Sequence, residues 1–361
     1  MTSQRNHALS AQLSRRSLLK RTALLSLSLP LALQATACVP VTTAQPAGET
    51  AAEATASETA TQPDQAAHLI RLIWSDGGIP FFAKHRGVFA ETLKAQNIEV
   101  EWVGPFAGHA PALQAVTGGS ADLTFGGSSS VAMSAILGGT PFVFTASNLS
   151  TPRTNGIIAH PDSGIKSVAD LVGKKVAGNR SGLGEFIFIA ALEKYGIPRD
   201  QVEFLYLNPA DAAPAFAQGQ IDAWSIFGSN REIAEVEFGG IPIFIEGEEL
   251  SLEEQIDTPS YMGLRDYVTE NTDVIRAVLA GYQVEAKWAT ENEAESLALQ
   301  AEAAGWSKAL IEKYDSYDRT YEVVFVDDPL TARLQRGADW LLAHGILEDA
   351  LVIADHVVQL G

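Results

Sequence analysis

From Leu69 onward, short runs of β-branched and aromatic residues alternate with amphipathic stretches. This alternation confines the chain to βα units rather than a sandwich or a helical bundle. Period-two runs predict strands over 69–74, 98–103, 121–125 and 142–146, with helices between them over 81–94, 110–117 and 131–137. A second series starts near residues 156–160: helices over 168–171, 185–195, 210–218 and 231–237 alternate with strands over 175–177, 202–207, 221–226 and 241–245. Beyond Ser260 a short strand over 261–264 is followed by mostly helical sequence from Thr272. The expected body is therefore a first lobe over 68–155, a second over 156–248, and a return to the first over 249–361. With 361 residues, 46% of them hydrophobic, the chain can bury a full core in two lobes.

The first 67 residues follow a different logic. Ser14-Arg15-Arg16-Ser17-Leu18-Leu19-Lys20 precedes an apolar run over 23–33 and then Ala35-Thr36-Ala37-Cys38. The order of basic segment, apolar segment and small residues marks an export signal over 1–37, and the twin arginines resemble a Tat signal. The run is short and interrupted by Pro30, too little for about 30 Å of hydrocarbon. Cys38 is the only cysteine, so an intramolecular disulfide is excluded. Its place resembles the acylated first residue of a lipoprotein, and two or more acyl chains there would tether the protein to a membrane. Residues 38–67 are rich in Ala, Thr, Glu, Pro and Gln and hold no aromatic side chain, the composition of a disordered tether.

The chain has 25 basic and 44 acidic residues, a formal charge of −19. Removing 1–37 takes away five basic residues and no acid, leaving 20 against 44. Such a surface repels phosphates, which excludes nucleic acid as a partner.

Doubly wound sheets bind ligands in loops that follow their strands. Three stand out: Ser75-Asp76-Gly77-Gly78-Ile79-Pro80, Gly126-Gly127-Ser128-Ser129-Ser130, and Gly178-Asn179-Arg180-Ser181-Gly182-Leu183-Gly184-Glu185. Each joins glycines or hydroxyls to the free N–H groups of a helix start, a place for an anion or polar group; each is equally a tight turn with an ordinary helix cap. Glu185 either lines the cleft, where it would repel an anion, or serves as a first-turn acid favoured by the helix dipole. Asp222-Ala223-Trp224, read as a strand end, offers a charge and an aromatic wall, or a core tryptophan.

Several phrases carry a family resemblance: Asp170-Leu171-Val172-Gly173-Lys174-Lys175-Val176-Ala177, Asn208-Pro209-Ala210-Asp211-Ala212 and Gly219-Gln220-Ile221-Asp222-Ala223-Trp224, with Ala121-Asp122 upstream. From Leu69 to Trp340 the chain resembles the solute-binding proteins of aliphatic sulfonate, taurine and nitrate ABC importers. The resemblance implies an α/β type II periplasmic binding protein, two doubly wound α/β lobes joined by a two-strand hinge. It also implies a monomer that needs no cofactor or metal, captures a small-molecule solute in the periplasm or at the outer face of the cytoplasmic membrane, and passes it to an ABC permease and ATPase. The implied cleft residues are Gly78, Ile79, Ser128, Ser129, Ser181, Gly182, Asp222 and Trp224, with Glu185 beside them. The sequence departs from sulfonate binders at Leu183-Gly184-Glu185-Phe186 and at Ser225-Ile226-Phe227-Gly228-Ser229-Asn230, so a pyrimidine or other heteroaromatic solute stays open.

An enzyme or a sensory lipoprotein on the same fold is the rival reading. His68, His85, His109, His160, His344 and His356 show no close metal-ligand spacing, and neither a Gly-x-Ser-x-Gly elbow nor a phosphate-binding Gly-x-x-x-x-Gly-Lys loop occurs. His109, just ahead of a helix, is the histidine kept as a possible cleft residue.

Overall fold

The computed structural model describes residues 67–361. The expected signal over 1–37, Cys38 and all but the last residue of the 38–67 tether lie outside the described residues.

The body opens with strand β1 (His68–Ile73), helices α1 (Ile79–Arg86) and α2 (Val88–Lys94), strand β2 (Ile98–Val103), and helices α3 (His109–Thr117) and α4 (Ser129–Leu137). Strands β3 (Phe142–Asn148) and β4 (Gly156–Ala159) follow, then β5 (Lys175–Gly178), α5 (Leu183–Lys194), β6 (Glu203–Tyr206), α6 (Pro209–Ala217), β7 (Ala223–Ile226), α7 (Ser229–Phe238) and β8 (Ile241–Ile245). The last part holds α8 (Glu246–Glu249), β9 (Ser260–Leu264), α9 (Arg265–Glu270), α10 (Thr272–Glu291), α11 (Glu293–Ala304), α12 (Lys308–Asp315), β10 (Val323–Phe325) and α13 (Asp328–Ala343).

The single helix expected over 81–94 is two, because Gly87 takes φ 76° and ends α1 in the left-handed region. Residues 168–171 form a 3-10 turn with a Ser167–Asp170 capping box rather than a full helix. The strand expected over 121–125 is reduced to one parallel bridge, Leu72 with Leu123. Thr124 N–H turns instead to Met262 O on β9 at 2.9 Å, so this segment joins two sheets instead of extending one.

β1 and β2 pair in parallel, and β10-β3-β9 form an antiparallel sheet. The second lobe is one five-stranded sheet in the order β6-β5-β7-β4-β8, with β5 parallel to both neighbours and β4 antiparallel to both of its own. The chain crosses between lobes twice, from β3 to β4 and from β8 to β9. The two crossings lie side by side: Glu246 N–H donates to Asn155 O, Gly247 N–H to Arg153 O, and Asn148 N–H to Pro259 O. Arg153 Nη2 pairs with Glu246 Oε1 at 2.5 Å, and Asn155 Nδ2 donates to the other oxygen at 2.7 Å. The ion pair is buried and multiply hydrogen-bonded, the setting in which removing one partner is costly.

One apolar cluster spans both lobes, joining Met133 and Leu334 to Ile157 and Phe186. α13 supplies the bridge, its Trp340 ring meeting Phe186 of α5 edge-on at 5.2 Å. On another face α12 packs on α7, where Arg231, 1% exposed, holds Glu232 and Glu235 at 2.8 Å and receives the company of Tyr317 at 2.6 Å.

Candidate functional site

The loops after β5 and before α4 meet between the lobes. A Cβ built on Gly182 would lie 3.1 Å from Val131 Cγ2, so the turn of the second lobe touches the first turn of α4. A side chain at Gly182 would displace the Asn179 amide and press on Val131. At Gly127 a Cβ would fall on the His109 ring. The serine-bearing helix starts of the two lobes thus stand next to each other.

Side chains of the protein itself bind backbone N–H groups at both turns. Asp257, fully buried on the returning crossing, accepts from Ser129 N (2.7 Å) and Ser129 Oγ (2.8 Å) with Oδ1, and from Ser128 Oγ (2.6 Å) with Oδ2. Ser130 N lies 3.3 Å from Oδ1. In the second lobe Glu185 reaches back to Ser181 N at 2.7 Å, which holds Ser181 at φ 51°. Its other oxygen accepts from Arg199 Nη2 at 2.5 Å and Tyr206 OH at 2.7 Å. At the start of α4 a side-chain carboxylate therefore occupies the position where the helix dipole would favour an outside anion, and at α5 Asn179 Oδ1 takes the Gly184 N–H. Glu185 is a satisfied first-turn acid, not a bare charge lining the cleft.

His109 lies under the first of these turns. Its Nδ1 meets Ser128 O at 2.8 Å and its Nε2 meets Thr124 Oγ1 at 3.2 Å. The carbonyl can only accept, so Nδ1 carries the proton and Nε2 takes the Thr124 hydroxyl hydrogen. Burial pushes the imidazole pKa down to about 4, which keeps the ring neutral.

The other expected site residues divide. Gly78 is half-buried at the start of α1 with φ 79°, and the neighbouring Gly77 is covered by Gln300 of α11. Ser128 and Ser181 are half-buried at the turns, while Ser129 is buried and spent on Asp257. Ile79 points into the core of the first lobe. Trp224 is 1% exposed and packs with Phe216, Ile221 and Ala234 between the sheet and α6 and α7, so it forms core and no cleft wall. Asp222 also lies away from the turns. β7 begins at Ala223 in register with Val176, which puts Asp222 at the opposite end of the sheet, where it accepts from Lys175 N at 2.8 Å.

Residues that the sequence did not single out complete the neighbourhood. Asn148 and Tyr261 flank Gly126, and the buried Tyr261 hydroxyl has no partner among the described residues. Phe125 and Phe227 are half-buried near the two turns. Arg180 lays its guanidinium over the Tyr206 ring at 3.7 Å. A strand-to-helix turn rich in polar residues was the signal available for Arg180; Asp257 offered none. Among the described residues no group of three metal-ligating side chains converges, and no helix is long and apolar enough to cross a membrane.

Two α/β lobes joined by paired crossings, with their βα turns meeting between them, define a periplasmic binding protein fold. The alkanesulfonate-binding protein of Xanthomonas axonopodis pv. citri bound to MOPS superposes with a TM-score of 0.73 at 22% identity, covering 81% of this chain and 99% of that one. The fold also carries chemistry: a desulfurization enzyme superposes with a TM-score of 0.58 at 15% identity, over 81% of this chain and 96% of its own. The description "NMT1/THI5 like" matches residues 78–296, and the chain belongs to that family. A putative aliphatic sulfonates-binding protein of Escherichia coli is 29% identical over 61% of this chain and 68% of its own length. Another of that name from Bacillus subtilis is 25% identical over 76% and 81%. The coarse role these similarities support is solute binding.

Proposed function

We propose that the chain is the extracytoplasmic solute-binding component of an ABC importer and captures a small polar or anionic organic solute, sulfonate-like in character, between its lobes. The observation that carries this reading is the meeting of the two turns where the lobes approach each other, Gly182 of the second lobe lying against Val131 beside Ser128–Ser130 of the first. A solute held there touches both lobes and stabilises the closed arrangement over the open one. The closed form is then presented to a permease and its ATPase. The protein is exported, anchored through acylated Cys38 and active as a monomer.

Half-buried Phe125 and Phe227 favour a second reading of the solute, a pyrimidine or other heteroaromatic ring. A thermal-shift screen of the purified protein separates the two. A ligand at 100 times its dissociation constant adds about 2.7 kcal/mol, which raises the midpoint by several degrees. A rise with alkanesulfonates supports the first reading and a rise with pyrimidines alone the second. Catalytic turnover of either would replace both with an enzyme.

A further inference from the structure

The start of α4 is filled from within by Asp257, and in the turn before α5 Glu185 takes the Ser181 N–H while Asn179 Oδ1 takes that of Gly184. An anionic solute cannot take the N–H groups of Ser129 and Ser130 without displacing the buried Asp257 carboxylate. A different group must meet its charge.

Arg180 lies in the turn that joins β5 to α5, between Asn179 and Ser181. It is exposed and makes no ion pair among the described residues. Its guanidinium carbon lies over the Tyr206 ring, 3.7 Å from the ring centre. Tyr206 is itself fixed: its hydroxyl donates to Glu185 Oε1 at 2.7 Å and lies 3.0 Å from Arg199 Nη2. Arg199 neutralises Glu185, so the acid beside Arg180 already has its cation. The ring thus supports a guanidinium that makes no ion pair among the described residues, and the planar fork of an arginine matches the oxygens of a sulfonate or carboxylate.

We infer that Arg180, stacked on Tyr206, receives the anionic group of the solute, and that the Asp257-capped start of α4 does not. This rests on the solute-binding reading above and assigns its charge recognition to one residue. Closure of the lobes removes water from the pair, which makes it stronger than an exposed ion pair.

The test is calorimetric titration of the wild-type protein, Arg180→Gln and Arg180→Lys with butanesulfonate, MOPS and the uncharged butyl methyl sulfone. Wild type is expected to prefer butanesulfonate to the sulfone. Arg180→Gln is expected to lose about tenfold or more in affinity for both sulfonates while its affinity for the sulfone stays unchanged. Arg180→Lys should fall between, keeping charge and losing the planar fork. Equal sulfonate affinity in wild type and Arg180→Gln, or an equal loss for sulfonate and sulfone, would overturn the assignment with the solute-binding reading intact. No binding of any sulfonate by wild type would overturn both. Unchanged thermal midpoints of the variants check that the exposed substitution leaves the fold alone.

Discussion

Asp257 Oδ1 accepts two hydrogen bonds from Ser129, one from its backbone N–H at 2.7 Å and one from its hydroxyl at 2.8 Å. This residue pair ties the returning crossing to the first turn of α4, so the hinge and the cleft-facing helix start form one polar unit. Arg153 of the other crossing donates to Asp257 O at 2.9 Å and completes the unit.

Removing the charge at Asp257 should therefore destabilise the whole body. Asp257→Asn keeps the size but turns an amide toward donors that need an acceptor, at a cost of about 2 kcal/mol. Urea denaturation would show a lower midpoint with an unchanged slope. An unchanged midpoint would mean that the cap contributes nothing net.

Trp224→Ala should cost about 3–5 kcal/mol, the range for a large aromatic removed from a packed core. Trp224→Phe keeps most of the packing and should leave solute affinity as it is. A selective loss of affinity in Trp224→Phe would place the ring in the cleft after all, against its 1% exposure.

Gly182→Ala should both destabilise the protein, by about 1–3 kcal/mol, and weaken solute binding. The added methyl group meets Asn179 and, at 3.1 Å, Val131 of the other lobe. Small-angle scattering should record a larger radius of gyration for the variant. A variant as compact and as stable as wild type would contradict the close approach.

His109 gives the stability a pH dependence with a definite sign. Its folded pKa of about 4 lies below the ordinary 6.5, so between those values the unfolded chain binds a proton that the folded one does not. The contribution is complete above pH 6.5, falls as the pH drops, and is exhausted below about 4, a span on the order of 3 kcal/mol. His109→Asn should lose stability at neutral pH and flatten this part of the profile. An unaltered profile would show that another group sets it.

Much of the fold was legible because its signals are local. Period-two runs with bounding glycines placed β1, β2, β5 and β8 within a residue or so of where they lie, and serines ahead of apolar stretches marked the starts of α4 and α5. The pairing of the two turns across the lobes was legible for the same reason. Asp257 was not, since it lies 128 residues beyond Ser129 and nothing in Gln255-Ile256-Asp257-Thr258 announces a cap for a distant helix. Asp222 and Trp224 were misplaced because a strand pattern says neither where the strand begins nor which helices cover its faces. Trp224 falls on the face covered by α6 and α7, and with β7 starting at Ala223 Asp222 lies at the end of the sheet away from the turns. The role of Glu185 depended on Arg199 and Tyr206, 14 and 21 residues away, which only the folded edge strand brings to it.

Hydrogen exchange of the purified protein with and without a saturating alkanesulfonate tests the central claim most directly. The account predicts slower exchange in both turns together, residues 126–131 of the first lobe and 179–185 of the second, with the crossings following as the lobes close. Exchange unaltered by the solute, or slowed in one lobe only, would contradict a solute held between the two.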